Sequence, residues 1–111
     1  MSARTLAGSR HYRIEHEYES ASLVAGDGRK RAIGEFYGDP AVALIDADEQ
    51  WCAVAGEGLI VCSLAQGGAC VEYFRQPDAT VWITSLRQTG PFALEATGED
   101  GTVRLINIAY A

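Results

Sequence analysis

Two histidines near the start of the chain are the first residues whose types could bind a metal or transfer protons. They stand in the pattern H-x-x-x-E-H, formed by His11, Glu15 and His16. A zinc-protease helix uses H-E-x-x-H or H-x-x-E-H, which places both imidazoles on one helical face. The spacing here is one residue too long, and the alternation of apolar and polar residues around it predicts a strand. We therefore expect one outward and one inward histidine, and no metal.

Three carboxylates crowd into one predicted turn, those of Asp46, Asp48 and Glu49. A calcium loop needs a glycine at its sixth position and a distal glutamate. The sixth residue of this segment is Trp51. We expect a turn in which an aspartate side chain binds nearby backbone N–H groups, and a weak cation site is the alternative.

The two tryptophans, Trp51 and Trp82, belong either to the core or to a binding surface shared with Tyr37, Tyr73 and Phe74. Large aromatic side chains fill the cores of small β domains, and they are also enriched at interfaces. The candidate binding surface that we take forward consists of Asp46, Asp48, Glu49, Trp51 and Trp82.

The three cysteines, Cys52, Cys62 and Cys70, are an odd number and lie in apolar runs. Two-residue loops between residues 50–55 and 59–64 do not place Cys52 opposite Cys62. We expect the cysteines to be reduced and mostly buried, in a cytoplasmic protein. No Ser/His/Asp set and no phosphate-binding glycine loop are present. The sequence therefore predicts no catalytic residue and no cofactor.

Short apolar runs, separated by turn residues about every ten positions, predict how the chain is organised. We expect a single all-β domain over residues 10–111, preceded by a flexible segment at 1–9. Its predicted form is one antiparallel β-sandwich or flattened barrel of about eight or nine short strands. Residues 20–31 are predicted to be a loop. A hairpin of residues 92–97 and 102–108 is predicted to place Glu95 opposite Arg104 and Leu94 opposite Leu105.

The chain also contains an apparent internal duplication, of residues 35–64 and 72–108. Each unit begins with an acid and two aromatics and reaches a proline five positions later, in Glu35–Pro40 and Glu72–Pro77. Residues 96–105 are similar to the last hairpin of a WD repeat, although Ile106-Asn107 stands where that family has Trp-Asp. Two propeller blades cannot close a ring alone, so this resemblance implies an oligomer.

Charge narrows the possible partners. The 111 residues carry a net charge of −6; residues 1–31 hold six basic and four acidic side chains, and residues 32–111 hold three and eleven. An acidic body repels nucleic acid and attracts a basic protein. No run of 18 apolar residues predicts a membrane span.

We expect a small, acidic, cytoplasmic and non-enzymatic module that binds a basic protein. In general character it looks like bacterial immunity and antitoxin proteins. The alternative is a β protein that binds a small ligand such as a sugar, as a propeller-like oligomer. An enzyme that uses a cysteine or a carboxylate pair is the third hypothesis. The partner's identity and the choice between monomer and homo-oligomer stay open.

Overall fold

The computed structural model describes residues 3–65, 68–76 and 79–108, and it contains eleven antiparallel strands within them. The strands are β1 (Arg4–Gly8), β2 (Tyr12–Glu17), β3 (Ser20–Ala25), β4 (Lys30–Glu35), β5 (Val42–Ile45), β6 (Trp51–Gly56), β7 (Gly58–Ser63), β8 (Cys70–Tyr73), β9 (Ile83–Gly90), β10 (Ala93–Gly98) and β11 (Val103–Asn107). They form three consecutive meanders, which we call the first sheet (β1–β4), the middle sheet (β5–β8) and the third sheet (β9–β11). The all-β sandwich class is confirmed.

The middle sheet is covered on both faces. In β6, Trp51 and Ala53 face a core shared with the third sheet, whereas Cys52 and Val54 face a core shared with the first sheet. This alternation follows from the two-residue period of a strand. A strand that is buried on both faces is apolar throughout, which explains the continuous apolar runs of β6 and β7.

Two predictions about the N-terminal part of the chain are wrong. Arg4–Gly8 forms β1 and pairs with β2, where a flexible segment was expected. Residues 20–31 are not a loop, because they contain β3 and the start of β4. Several of these strand residues are small or polar, so their apolar pattern is weak. Backbone pairing with β2 nevertheless holds β3 in the sheet.

Two hairpin loops, at residues 26–28 and 99–101, share one design. Each ends in a glycine with positive φ, Gly28 at 92° and Gly101 at 85°. The aspartate before each glycine accepts a hydrogen bond from the backbone N–H two residues later, at 3.0 and 2.9 Å. A three-residue loop with a left-handed last residue is a common hairpin type.

The β10–β11 hairpin differs by one residue from the predicted register, because its loop has three residues rather than four. Leu94 lies opposite Ile106, and Glu95 lies opposite Leu105. A one-residue shift moves every side chain of a strand to the other face. Arg104 therefore turns inward, and Leu105 is exposed.

The strand order creates two ends. Both connections between sheets, of which the structure describes residues 36–41, 74–76 and 79–82, lie at the end where β2, β4, β6, β8 and β10 finish. We call this the aromatic end, because Tyr18, Tyr37 and Trp82 lie there. We call the opposite end the disulfide end, because Cys62 and Cys70 lie there. Both copies of the acid-aromatic-aromatic motif run from the last residues of a meander into a connection, so they occupy equivalent places. The structure nevertheless has three meanders rather than two units, and Pro77 lies outside the described residues.

Candidate functional site

Two of the predicted site residues, Trp51 and Asp46, are buried at the disulfide end. The Trp51 indole N–H donates to the Pro91 carbonyl at 2.8 Å. Asp46 accepts the Gln50 backbone N–H at 3.0 Å and the Gln88 side-chain amide at 2.6 Å. These are structural contacts, because a buried polar group is costly unless it is hydrogen-bonded. The β5–β6 turn is therefore organised by an aspartate side chain, as expected, whereas Asp48 is exposed.

Glu49 ties this turn to the first sheet. Its carboxylate accepts hydrogen bonds from the Ser9 hydroxyl and from the His11 backbone N–H at 2.9 Å, and it meets His11 Nδ1 at 2.6 Å. The hydrogen bonds from Ser9, followed by those from His11, lower the pKa of Glu49 to about 2. Glu49 also has a positive φ of 56°, an uncommon conformation for a residue with a side chain.

The Ser9, His11 and Glu49 cluster is not arranged as a catalytic triad. In a triad the serine hydroxyl bonds to the histidine Nε2, and the carboxylate bonds to Nδ1. Here the hydroxyl bonds to the carboxylate itself. His16, by contrast, is buried and bonds through Nδ1 to the Tyr18 carbonyl at 2.9 Å. One histidine is exposed and the other buried, as the sequence predicted.

Trp82 lies away from the other predicted site residues. It forms a β-bridge with Glu57, just beyond the last residue of β6, whereas Trp51 is the first residue of that strand. A six-residue strand spans roughly 20 Å. The predicted surface therefore does not form one site, and Trp82 belongs to the aromatic end.

The aromatic end gathers three exposed aromatic side chains. Tyr18, Tyr37 and Trp82 are 74%, 75% and 41% exposed. The rings of Tyr37 and Trp82 meet edge-on, with centroids 6.4 Å apart. Tyr18 is in the adjoining β2–β3 turn, where the Glu19 carbonyl accepts the Phe36 N–H at 2.9 Å. Tyr73 and Phe74, which the sequence also suggested for a surface, pack against the core.

Acidic side chains surround these aromatics. Glu19 accepts the Gly38 N–H at 2.6 Å, and Glu57 accepts the Tyr37 N–H at 2.9 Å. Both carboxylates thus hold the first connection between sheets in place. Glu99 and Asp100, which are exposed, follow β10 at the same end. The nearest cations turn inward, since Arg75 stacks over Phe36 at 5.0 Å and Arg104 over Phe74 at 5.6 Å.

A shallow cleft of about 370 Å³ borders Trp82. Thr80, Glu99, Asp100 and Arg104 contribute to its walls. One terminal nitrogen of Arg104, Nη1, is buried and has no hydrogen-bond partner among the described residues. The cleft therefore combines an aromatic face with carboxylates that can bind a cation or hydroxyl groups.

The three cysteines lie in one row across the middle sheet, with Cys52 opposite Cys62 and Cys62 opposite Cys70. The register that the sequence predicted for β6 and β7 is wrong, because the strands are joined through Glu57 alone, with Gly56 opposite Gly58, whose φ is 77°. Cys62 and Cys70 form a disulfide, which corrects the expectation of three reduced cysteines. Cys52 is buried and free, as expected.

The hydrogen-bond pattern explains why Cys62 forms its disulfide with Cys70 rather than with Cys52. The Ser63 N–H donates to the Ala69 carbonyl at 3.0 Å. Because bonded and non-bonded pairs alternate along an antiparallel ladder, Cys62–Cys70 is a non-bonded pair, and its Cα atoms are 4.0 Å apart. On its other side Cys62 forms a bonded pair with Cys52, for which Cα atoms are typically about 5.5 Å apart. The closer pair forms the disulfide, and burial raises the pKa of the Cys52 thiol to about 12.

Comparisons with known proteins add no function. No protein-family model, curated protein or solved structure matches the chain. Within residues 3–65, 68–76 and 79–108, no three His, Cys, Asp or Glu side chains are grouped to hold a metal ion. The same residues form no helix of the length and apolarity that crossing a bilayer needs.

Sequence reasoning missed Tyr18 and the cluster of Ser9, His11 and Glu49. Glu49 is about 40 positions from Ser9 and His11, and it meets them only because β1 and β5 come together. Tyr18 follows the alternation of β2, which predicts a half-buried strand residue. Its positive φ of 53° places it in the turn instead. The acids on both sides, Glu17 and Glu19, were the available signal for a turn.

Proposed function

We propose that the chain is a non-enzymatic binding module whose docking surface is the aromatic end, and that its partner is a basic protein. The observation that carries this proposal is the exposure of Tyr18, Tyr37 and Trp82 at one end of the sandwich, with the rings of Tyr37 and Trp82 in contact. Tyr and Trp are enriched at interface cores and dominate binding energies.

Charge supports a basic partner. Glu99, Asp100 and Asp39 are exposed at this end, while Arg75 and Arg104 lie against aromatic rings. Lysine or arginine side chains of a partner would find carboxylates and aromatic faces together, and arginine stacks well on both Tyr and Trp. Complementary charge would also speed the encounter.

The analogy to immunity and antitoxin proteins is part of this proposal, which places the chain in a class of acidic inhibitors. The cytoplasmic location expected from the sequence depended on three reduced cysteines. The Cys62–Cys70 disulfide removes that support, so the proposal does not depend on the compartment.

The test is affinity capture from the native cell followed by binding with purified components. We expect a captured protein with a basic surface, and Trp82→Ala should weaken its binding about 30-fold or more, as for a hot-spot tryptophan. Phe92→Ala is the matched control at the disulfide end and should leave the dissociation constant within about twofold. A partner that binds the Trp82→Ala variant as tightly as the unmodified chain would overturn the proposal.

Small-ligand binding is the second candidate, and the cleft beside Trp82 favours it. Sugars stack on aromatic faces and bind carboxylates through their hydroxyl groups. Saturation-transfer NMR with a panel of mono- and disaccharides discriminates the two. Saturation transferred from the protein to a sugar, and lost in the Trp82→Ala variant, would favour small-ligand binding over a protein partner.

A further inference from the structure

A large open cleft lies between the first and middle sheets, far from the docking surface proposed above. Its volume is about 780 Å³. Three consecutive cations, Arg29, Lys30 and Arg31, line it together with Tyr12 and the apolar side chain of Leu64. These are three of the nine basic residues in a chain with a net charge of −6. A concentration of positive charge beside apolar walls selects an anionic ligand.

The three cations differ in how they are held. Arg31 spans the two sheets and donates to the Ser63 carbonyl at 3.0 Å and to the Gly68 carbonyl at 2.5 Å. Arg29 pairs with Asp27 at 2.7 Å. Lys30 is exposed and makes no ion pair with any residue that the structure describes. Arg31 is thus the cation of this cleft whose described partners are carbonyl oxygens rather than carboxylates, whereas Lys30 also borders a smaller cleft that Glu15 and Glu17 line.

Arg31 also joins the cleft to the disulfide, because its guanidinium contacts Cys70 Sγ at 3.6 Å. The two cysteines of the disulfide differ in their exposure to solvent. Cys62 is buried, whereas Cys70 is an exposed residue of β8, an edge strand. Cys70 is therefore the more accessible cysteine of the pair, and the Arg31 guanidinium lies beside its sulfur. Access and local charge both govern the rate of such exchange.

We propose that this cleft is a binding site for an anionic low-molecular-weight thiol, which forms a mixed disulfide with Cys70. The thiolate of the ligand attacks Cys70 Sγ, the Cys62–Cys70 bond breaks, and the electron pair leaves on Cys62 Sγ, which takes a proton from solvent. One disulfide is consumed and one is formed, so no further oxidant is required. The reverse step, attack by Cys62 on the mixed disulfide, restores the starting bond.

Cys52 does not compete for this chemistry. It faces Cys62 as a hydrogen-bonded pair, for which typical Cβ separations of about 5.5 Å exceed the 3.5–4.5 Å of a disulfide. Its thiol is buried in the core between the first and middle sheets. The disulfide is thus kept between the buried Cys62 and the exposed Cys70.

The experiment compares three thiols of different charge: 3-mercaptopropionate, 2-mercaptoethanol and cysteamine. The rate of disulfide opening is measured for each, corrected for thiolate fraction, and divided by the rate of the same thiol on an uncharged linear disulfide. We expect the anionic thiol to exceed the cationic one about tenfold at low salt, and the ratio to fall toward one at about 1 M salt. A ratio near one at low salt would overturn the proposal.

Variants and adduct mapping locate the site. Arg29→Gln with Lys30→Gln should reduce the preference for the anionic thiol several-fold, since it removes two charges from the cleft. Arg13→Gln with Arg87→Gln removes two exposed cations elsewhere and should leave the preference unchanged. Peptide mass spectrometry should find the 3-mercaptopropionate adduct on Cys70. An adduct on Cys62, or equal effects of the two double variants, would contradict the assignment.

Discussion

The ring of Tyr37 lies edge-on to the indole of Trp82, with ring centroids 6.4 Å apart. The two residues come from different connections between sheets, and their contact joins those connections at the aromatic end. Both rings stay substantially exposed although each has an aromatic neighbour. An exposed aromatic pair beside the exposed acidic residues Asp39, Glu99 and Asp100 is the kind of surface that binds an arginine-rich partner.

The two tryptophans should report this arrangement by fluorescence. Trp82 is exposed and Trp51 is fully buried, so acrylamide should quench mainly Trp82. We expect Trp82→Phe to shift the emission to shorter wavelength and to remove most of the quenching. Quenching that is unchanged in this variant would show that the indole accessible to solvent is Trp51.

Stability in acid should depend on Glu49. Hydrogen bonds from Ser9 and His11 lower its pKa from 4.5 to about 2 in the folded protein. The carboxylate therefore contributes stability that is fully present above pH 4.5 and is lost as the pH falls through about 2. Urea unfolding from pH 6 to pH 2 should show a smaller loss of stability between these values in Glu49→Gln. An identical pH dependence in both proteins would contradict the proposed role of Glu49.

The buried Asp46 should matter more than its exposed neighbour Asp48. Removing the Asp46 carboxylate leaves the Gln88 amide and the Gln50 N–H without their acceptor. We expect Asp46→Ala to lower the free energy of unfolding by about 2–4 kcal/mol, and Asp48→Ala to change it by less than about 0.5 kcal/mol. Denaturant unfolding measures both. Equal effects would show that Asp46 is not an organising residue of the turn.

Substitutions at two glycines with positive φ should distinguish the cost of backbone strain from the cost of a steric clash. At Gly101 a methyl group would meet nothing within 4 Å, whereas at Gly58 it would lie 2.1 Å from Arg75 Cγ. Gly101→Ala should therefore cost about 1–2 kcal/mol for the left-handed conformation alone. Gly58→Ala should cost more, because Arg75 must also leave Phe36. Thermal unfolding of the two variants checks this order, and the reverse order would contradict it.

Local patterns in the sequence were enough to predict the all-β class, one outward and one inward histidine, and the aspartate-organised turn. The alternation around Ile14 and His16 is a two-residue signal, and such signals need no tertiary information. Registers were predicted less well. A loop of three residues instead of four at Gly101, or of one residue instead of two between Gly56 and Gly58, moves every pairing that follows.

Features that depend on contacts across the fold were beyond the sequence. The Cys62–Cys70 disulfide depends on the register of two hairpins at once. Glu49 meets His11 only after the first and middle sheets have packed. Trp51 and Trp82 are equivalent as residue types. Trp51 begins β6 and is a core residue, whereas Trp82 pairs with Glu57 beyond the end of that strand and is exposed.

The most direct test of the docking surface is an NMR titration of the ¹⁵N-labelled chain with a deca-arginine peptide. The account predicts that shifts concentrate at the aromatic end, in the backbone amides of residues 18–19, 37–39, 57 and 99–101 and in the Trp82 indole. The Trp82→Ala variant should lose most of the affinity. Shifts that centre instead on Asp46, Asp48 and Glu49, or that spread evenly over all acidic residues, would contradict the account.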